Sequence, residues 1–141
     1  MSALRPRDVK RVDWRTALGV VCLVALAINV PRDLFVAETR DVEVWLGFEL
    51  TGSLARATAP LHWAIFVAGA WGCFRQRSWA VPAVIAYLGY VAVSHLVWSE
   101  VSPRGRGLAI GLVQAVAIAL VAGVVWRMAR REETRRAVES G

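Results

Sequence analysis

Apolar positions along the chain gather into four blocks, and the charged positions fall in the gaps between them. Residues 16–30, 79–98 and 108–126 contain no Asp, Glu, Lys or Arg. A helix of a soluble bundle shows one apolar stripe and one charged face. Blocks that are apolar all round are the pattern of helices in lipid. They predict an all-α, integral membrane four-helix bundle in a single domain, with spans at about 16–36, 57–74, 79–98 and 108–126 and a basic tail at 127–141. The first block is short, since fifteen residues make only about 22 Å of helix. The span is therefore expected to run past Pro31 to about Val36, carrying Asn29 and Asp33 to the far interface. Ala25-Leu26-Ala27 resembles a signal cleavage site, but the charged lead before it is long, which favours an uncleaved span.

Pro60 to Glu100 reads as two apolar spans folded back on each other through the basic turn Arg75-Gln76-Arg77-Ser78, and each span carries one of the two histidines. So short a turn requires antiparallel neighbours. Pro82 falls in the first turn of the third helix, where its missing N–H costs nothing. The loop 99–107 holds clear breakers. Residues 37–59 form the longest connection. Val42, Trp45, Leu46 and Glu49/Leu50 recur there at helical spacing, so an interfacial amphipathic helix is the first expectation. A small β-hairpin or an irregular cap over the bundle is the second.

The chain has 141 residues, 57% of them hydrophobic, and a mean hydropathy of +0.47, above the roughly 45–50% apolar content of a soluble domain. Its net charge of +6 would suggest nucleic acid in a soluble protein. Here the charge sits mainly at span ends, so the expected partner is the bilayer and not nucleic acid. Twelve Lys and Arg lie in the N-terminal segment, the 75–78 turn and the tail, against five in the other two loops. That bias predicts cytoplasmic termini, as in a bacterial inner membrane. Six of the eleven acidic residues lie in the two outer loops: Asp33, Glu38, Asp41, Glu43, Glu49 and Glu100. Trp14, Trp63, Trp79, Trp98 and Trp126 stand at span ends, as an aromatic belt does. Cys22 and Cys73 lack any ligand or redox spacing and read as small packing residues.

Gly107, Gly111, Ala115, Ala119 and Gly123 stripe the fourth span every four residues. Such a face lets backbones approach closely. Packing within the bundle is the first reading, with a homodimer or a partner helix as the alternative. Gln114 beside it reads as an interhelical hydrogen bond.

The orientation locates candidate chemistry. His62 is 12 residues before Phe74, and His95 is 16 after Trp79. They stand about 18 and 24 Å from the inner turn, both in the outer half. Asp33, Glu49 and Glu100 belong near that level, so His62, His95, Asp33, Glu49 and Glu100 form the candidate catalytic set. Tyr87, Tyr90, Ser94, Trp98 and Trp63 are the candidate ligand pocket. Ionisable groups at membrane depth are functional candidates, and a His beside a carboxylate moves protons near neutral pH. The chemistry this suits is proton transfer on a hydrophobic, lipid-like molecule, such as isomerisation or cyclisation. The acids of 38–49 otherwise read as a solvated face. Neither HxxxH nor HxxE spacing is present, so no metal and no cofactor are expected.

The layout resembles the EXPERA group, which includes the sigma-2 receptor and emopamil-binding sterol isomerases. Asp33-Leu34 at the end of the first helix, the long outer connection, and Trp79, Pro82, Ala83 and Tyr87 in the third helix carry the likeness, loosely over the first three spans. It implies a multi-helix membrane protein with an acid-lined pocket for a sterol-like ligand. An acidic residue expected inside the second helix is absent, with only His62 nearby. The chain is also similar to small four-helix bacterial membrane proteins with a histidine-flanked hairpin. A non-catalytic subunit or assembly factor of a membrane complex is the alternative function.

Overall fold

A computed structural model describes residues 13–140. Helices α1 (Trp14–Phe35), α2 (Gly52–Phe74), α3 (Ala80–Val101) and α4 (Leu108–Glu139) carry the fold. Strands β1 (Val42–Trp45) and β2 (Phe48–Thr51) form a two-stranded antiparallel hairpin between the first two. The protein is all-α in class, as the blocks predict. The basic residues among 1–12, which enter the charge count, lie outside the described residues.

The helix ends follow from local chemistry. The Asp13 carboxylate caps α1 through Arg15 N at 3.3 Å. Pro31 sits inside α1, which runs on to Phe35 as the length argument required. At that end Val36 N and Thr39 Oγ1 both donate to the Arg32 carbonyl, at 3.1 and 3.0 Å. α2 starts at Gly52, directly off the hairpin, so Pro60 lies well inside it. It ends in a Schellman arrangement: Arg77 N donates to Gly72 O at 2.9 Å and Gln76 N to Cys73 O at 3.1 Å, with Gln76 left-handed at φ 53°. α4 continues without a break through the tail. Its 32 residues make about 48 Å, more than a bilayer's hydrocarbon needs.

α1 packs along α2 and α3 along α4, whereas α2 and α3 meet sparsely. Small side chains line the contacts, with Cys22, Ala55, Ala59, Ala70, Cys73, Ala80 and Ala92 all buried. Large aliphatics point outward instead, among them Val21, Ile28, Val93, Val113 and Leu120. This inversion of the soluble pattern suits helices whose solvent is lipid. α1, α3 and α4 are each long and apolar enough to cross a membrane. α2 is the exception, because Arg56, Thr58, Pro60 and His62 dilute its N-terminal half.

The small-residue stripe is used in part. Gly111 is buried, and a Cβ there would stand 2.7 Å from Ser99 Cβ. Gly107 adopts φ 80° as the N-cap of α4, while Ala119 and Gly123 face outward. Gln114 gains no interhelical bond, since its buried Oε1 lacks a partner among the described residues. At the end away from the hairpin, Trp14 Nε1 and Arg15 Nε donate to Glu132 Oε2 at 3.0 and 3.1 Å. Gln76 Nε2 donates to Asp13 there at 2.5 Å. The start of α1, the α2–α3 turn and the base of the tail therefore share one end.

Candidate functional site

The expected interfacial helix at 42–50 is a hairpin cap. Val42 pairs with Thr51 and Trp45 with Phe48, leaving Leu46-Gly47 as a two-residue loop. Both central residues are left-handed, at φ 52° and 87°, the pattern of a type I′ turn. Leucine is a poor residue for that conformation. Its N–H donates to Tyr90 Oη at 3.1 Å, and Gly47 N donates to Ser94 Oγ at 2.9 Å. The turn is thereby seated on α3, and Tyr90 and Ser94 serve the hairpin.

Strand alternation then sorts the side chains. Glu43 and Trp45 fall on one face and meet α2. His62 Nδ1 lies 2.5 Å from Glu43 Oε1, with the two side chains 13% and 7% exposed. The Trp45 ring stacks on the imidazole, with centroids 4.1 Å apart and planes 8° from parallel. Tyr87 approaches His62 edge-on at 6.4 Å, stacks with Tyr90 at 5.8 Å, and meets Phe66 edge-on at 5.6 Å. Aromatic rings thus line the sparse seam between α2 and α3. Trp45 Nε1 is buried in this cluster with no hydrogen-bond partner among the described residues. No described group bonds His62 Nε2.

The other expected residues divide between two further groupings. On the α1 side of α2, Asp33 is buried, with Arg32 Nε and Nη2 on Oδ1 at 2.9 and 2.8 Å and Trp63 Nε1 on Oδ2 at 2.9 Å. Beside the α3–α4 loop, Glu49 accepts from Trp98 Nε1 at 2.8 Å, Ser102 Oγ at 2.6 Å and Arg104 Nη2 at 2.9 Å. His95 and Glu100 join none of the three. Both are exposed, and the His95 Nδ1–H donates only to the Val91 carbonyl at 3.1 Å. By sequence Glu43 falls among the acids of 38–49 that read as a solvated face, and Trp45 lies outside the expected site. Their period-2 spacing was the available signal. Among the described residues, no three His, Cys, Asp or Glu side chains come together as a metal site would require.

Glu49 is held below the usual carboxylate range. The Ser102 hydroxyl is the main cause, burial opposes it, and Trp98 and Arg104 add to the lowering. A depressed folded value contributes stability that is whole above the unfolded glutamate's pKa and is lost as pH falls through the folded one. Acidification below about pH 4 is therefore expected to loosen the hairpin from the α3–α4 loop. Thermal unfolding of wild type and Glu49→Gln in detergent checks this. The gap between them should close as pH falls, and a gap independent of pH would exclude the clasp. The chain matches no protein-family model, no curated protein and no solved structure.

Proposed function

We propose that this is a four-span membrane protein, with both termini cytoplasmic, that binds and transforms a hydrophobic, lipid-like molecule at the seam between α2 and α3. The observation that carries the reading is the unpartnered, buried indole N–H of Trp45, stacked on the ring of the His62–Glu43 pair. A buried donor without an acceptor costs about 1–3 kcal/mol, and a hydroxyl or carbonyl at the head of a lipid-like molecule would satisfy it. Glu43, accepting from Nδ1–H, would leave Nε2 as the proton acceptor and stabilise the imidazolium formed when Nε2 takes a proton. Phe66, Tyr87 and Tyr90 supply apolar, π-rich walls that suit an isoprenoid or sterol-like skeleton and a developing cation. The pair resembles the acid-lined sites of the EXPERA group in kind, with the acid delivered by the hairpin instead of by α2.

Orientation follows from the Lys and Arg bias and agrees with the shared end of Trp14, Gln76 and Glu132. α2 spans with its neighbours because α1 and α3 pack on either side of its polar outer half.

Native mass spectrometry with lipid analysis tests the reading. Purified wild type should carry a discrete non-bulk lipid that His62→Ala and Glu43→Gln lose and His95→Ala keeps. Retention in all three variants would overturn the site. A stoichiometric partner polypeptide in place of a lipid would favour the subunit reading, which the outward small residues Ala119 and Gly123 suit. Labelling Ser140→Cys from each side of sealed vesicles checks the orientation.

A further inference from the structure

On the other side of α2 an open cleft of about 370 Å³ is lined by Asp33, Leu34, Arg40, Arg56, Ala59 and Trp63. Its wall is apolar and indole-faced, formed by Leu34, Ala59 and Trp63; Leu34 is 45% exposed, and Phe35, next to it in the chain, 81%. Its rim is cationic, with the Arg40 and Arg56 side chains 55% and 61% exposed. The acids there are already engaged. Asp33 is filled by Arg32 and Trp63. Asp41 lies 2.5 Å from Arg56 Nε and 4.0 Å from Arg40 Nε, and the Arg56 bond holds its carboxyl below the usual range. Asp41 thus steadies one edge of each guanidinium, and no described group bonds their terminal nitrogens. Among the lining side chains two guanidinium groups, Arg40 and Arg56, stand against one carboxylate, Asp33, and leave the cleft positive.

We propose that this cleft seats the head of an anionic membrane phospholipid. Its phosphate lies on Arg40 and Arg56, and the first acyl carbons lie against Trp63, Leu34 and Ala59. The argument is complementarity of two kinds at one place. A soluble anion would leave the indole wall bare, and a zwitterionic lipid would oppose its own ammonium to the arginines. The cleft also stands at the hairpin end of α1 and α2, where headgroups meet chains and tryptophan collects. Guanidinium forks are the side chains best shaped for phosphate. The proposal rests on the membrane placement and is independent of the His62–Glu43 chemistry, so loss or survival of the seam ligand does not bear on it.

The test is native mass spectrometry of the full chain with phosphatidylglycerol and phosphatidylcholine of identical acyl chains. Wild type should retain phosphatidylglycerol about tenfold better. Arg40→Gln/Arg56→Gln should abolish the preference. Arg40→Gln alone gives up only the 4.0 Å contact with Asp41, so it should fold normally and lower the preference severalfold. Arg130→Gln/Arg131→Gln in the tail should leave it unchanged. Equal retention of both lipids by wild type overturns the proposal, as does a preference that survives the double variant or follows the tail variant. Displacement of phosphatidylglycerol by inorganic phosphate also overturns it, by making the cleft a soluble-anion site.

Discussion

Removing the His62 ring is expected to destabilise the protein by about 3 kcal/mol, with the loss concentrated in the hairpin cap. Glu43 is 7% exposed, and the imidazole is the one described group that bonds it. His62→Ala strands that carboxyl away from water, where an unpaired charge is held at high cost. It also removes the parallel stack on Trp45, which contributes about 0.5–1.5 kcal/mol beyond area burial. Glu43→Ala should cost less, about 1–2 kcal/mol, because it leaves one ring N–H without an acceptor and strands no carboxylate.

The informative quantity is the coupling. If the two side chains act as a unit, the double variant should fall short of the sum of the singles by about 2 kcal/mol. Unfolding in mixed micelles measures the energies, and hydrogen exchange at Val42–Thr51 reports whether the hairpin lifts. Additive energies, with the hairpin still protected, would remove both the anchor and the acid/base unit in one experiment.

What was legible in the sequence follows physical range. The apolar blocks predicted the helices because each is a local property of some twenty residues. The second span was read only from about residue 57, because the apolar block marks the part of a helix that lipid covers and not where the helix begins. In the structure the helix starts at Gly52, directly off the hairpin, and its first turns carry the polar Ser53, Arg56 and Thr58. Val42, Trp45, Leu46 and Glu49 fit helical spacing, yet over so short a run a period of 3.6 and a period of 2 are hard to separate. The deciding element was a single glycine between VEVW and FELT, and Leu46 before it is no turn residue. Position along the helix axis was readable for His62 and His95 of the five candidate residues, because rise per residue sets it. Azimuth was not, because it depends on which neighbour each helix finds. The five therefore separate around the bundle, and His62 finds Glu43, an acid 19 residues away on a strand that turns it inward.

That dependence on one glycine makes Gly47→Ala the second large effect. At φ 87° the residue lies where L side chains are strained by about 1–2 kcal/mol. A Cβ there would also stand 2.4 Å from Val97 Cβ and 3.1 Å from the Ser94 carbonyl. Neither neighbour is the loose end of a flexible chain, so relief requires the turn to rise off α3. Rising breaks the bonds from Gly47 N to Ser94 and from Leu46 N to Tyr90. The total should approach about 3 kcal/mol, of which overpacking supplies about 1–2. Gly52 gives the control, at φ 61° with nothing within 4 Å of where a Cβ would stand; Gly52→Ala should show the backbone cost alone. Val97→Ala should not rescue Gly47→Ala, because the offending Cβ is kept. Hydrogen exchange should quicken across both strands in Gly47→Ala and stay slow in Gly52→Ala. Equal protection in the two would show that the turn does not bear on α3. The His62–Glu43 pair would then need some other support to hold Trp45 against the imidazole.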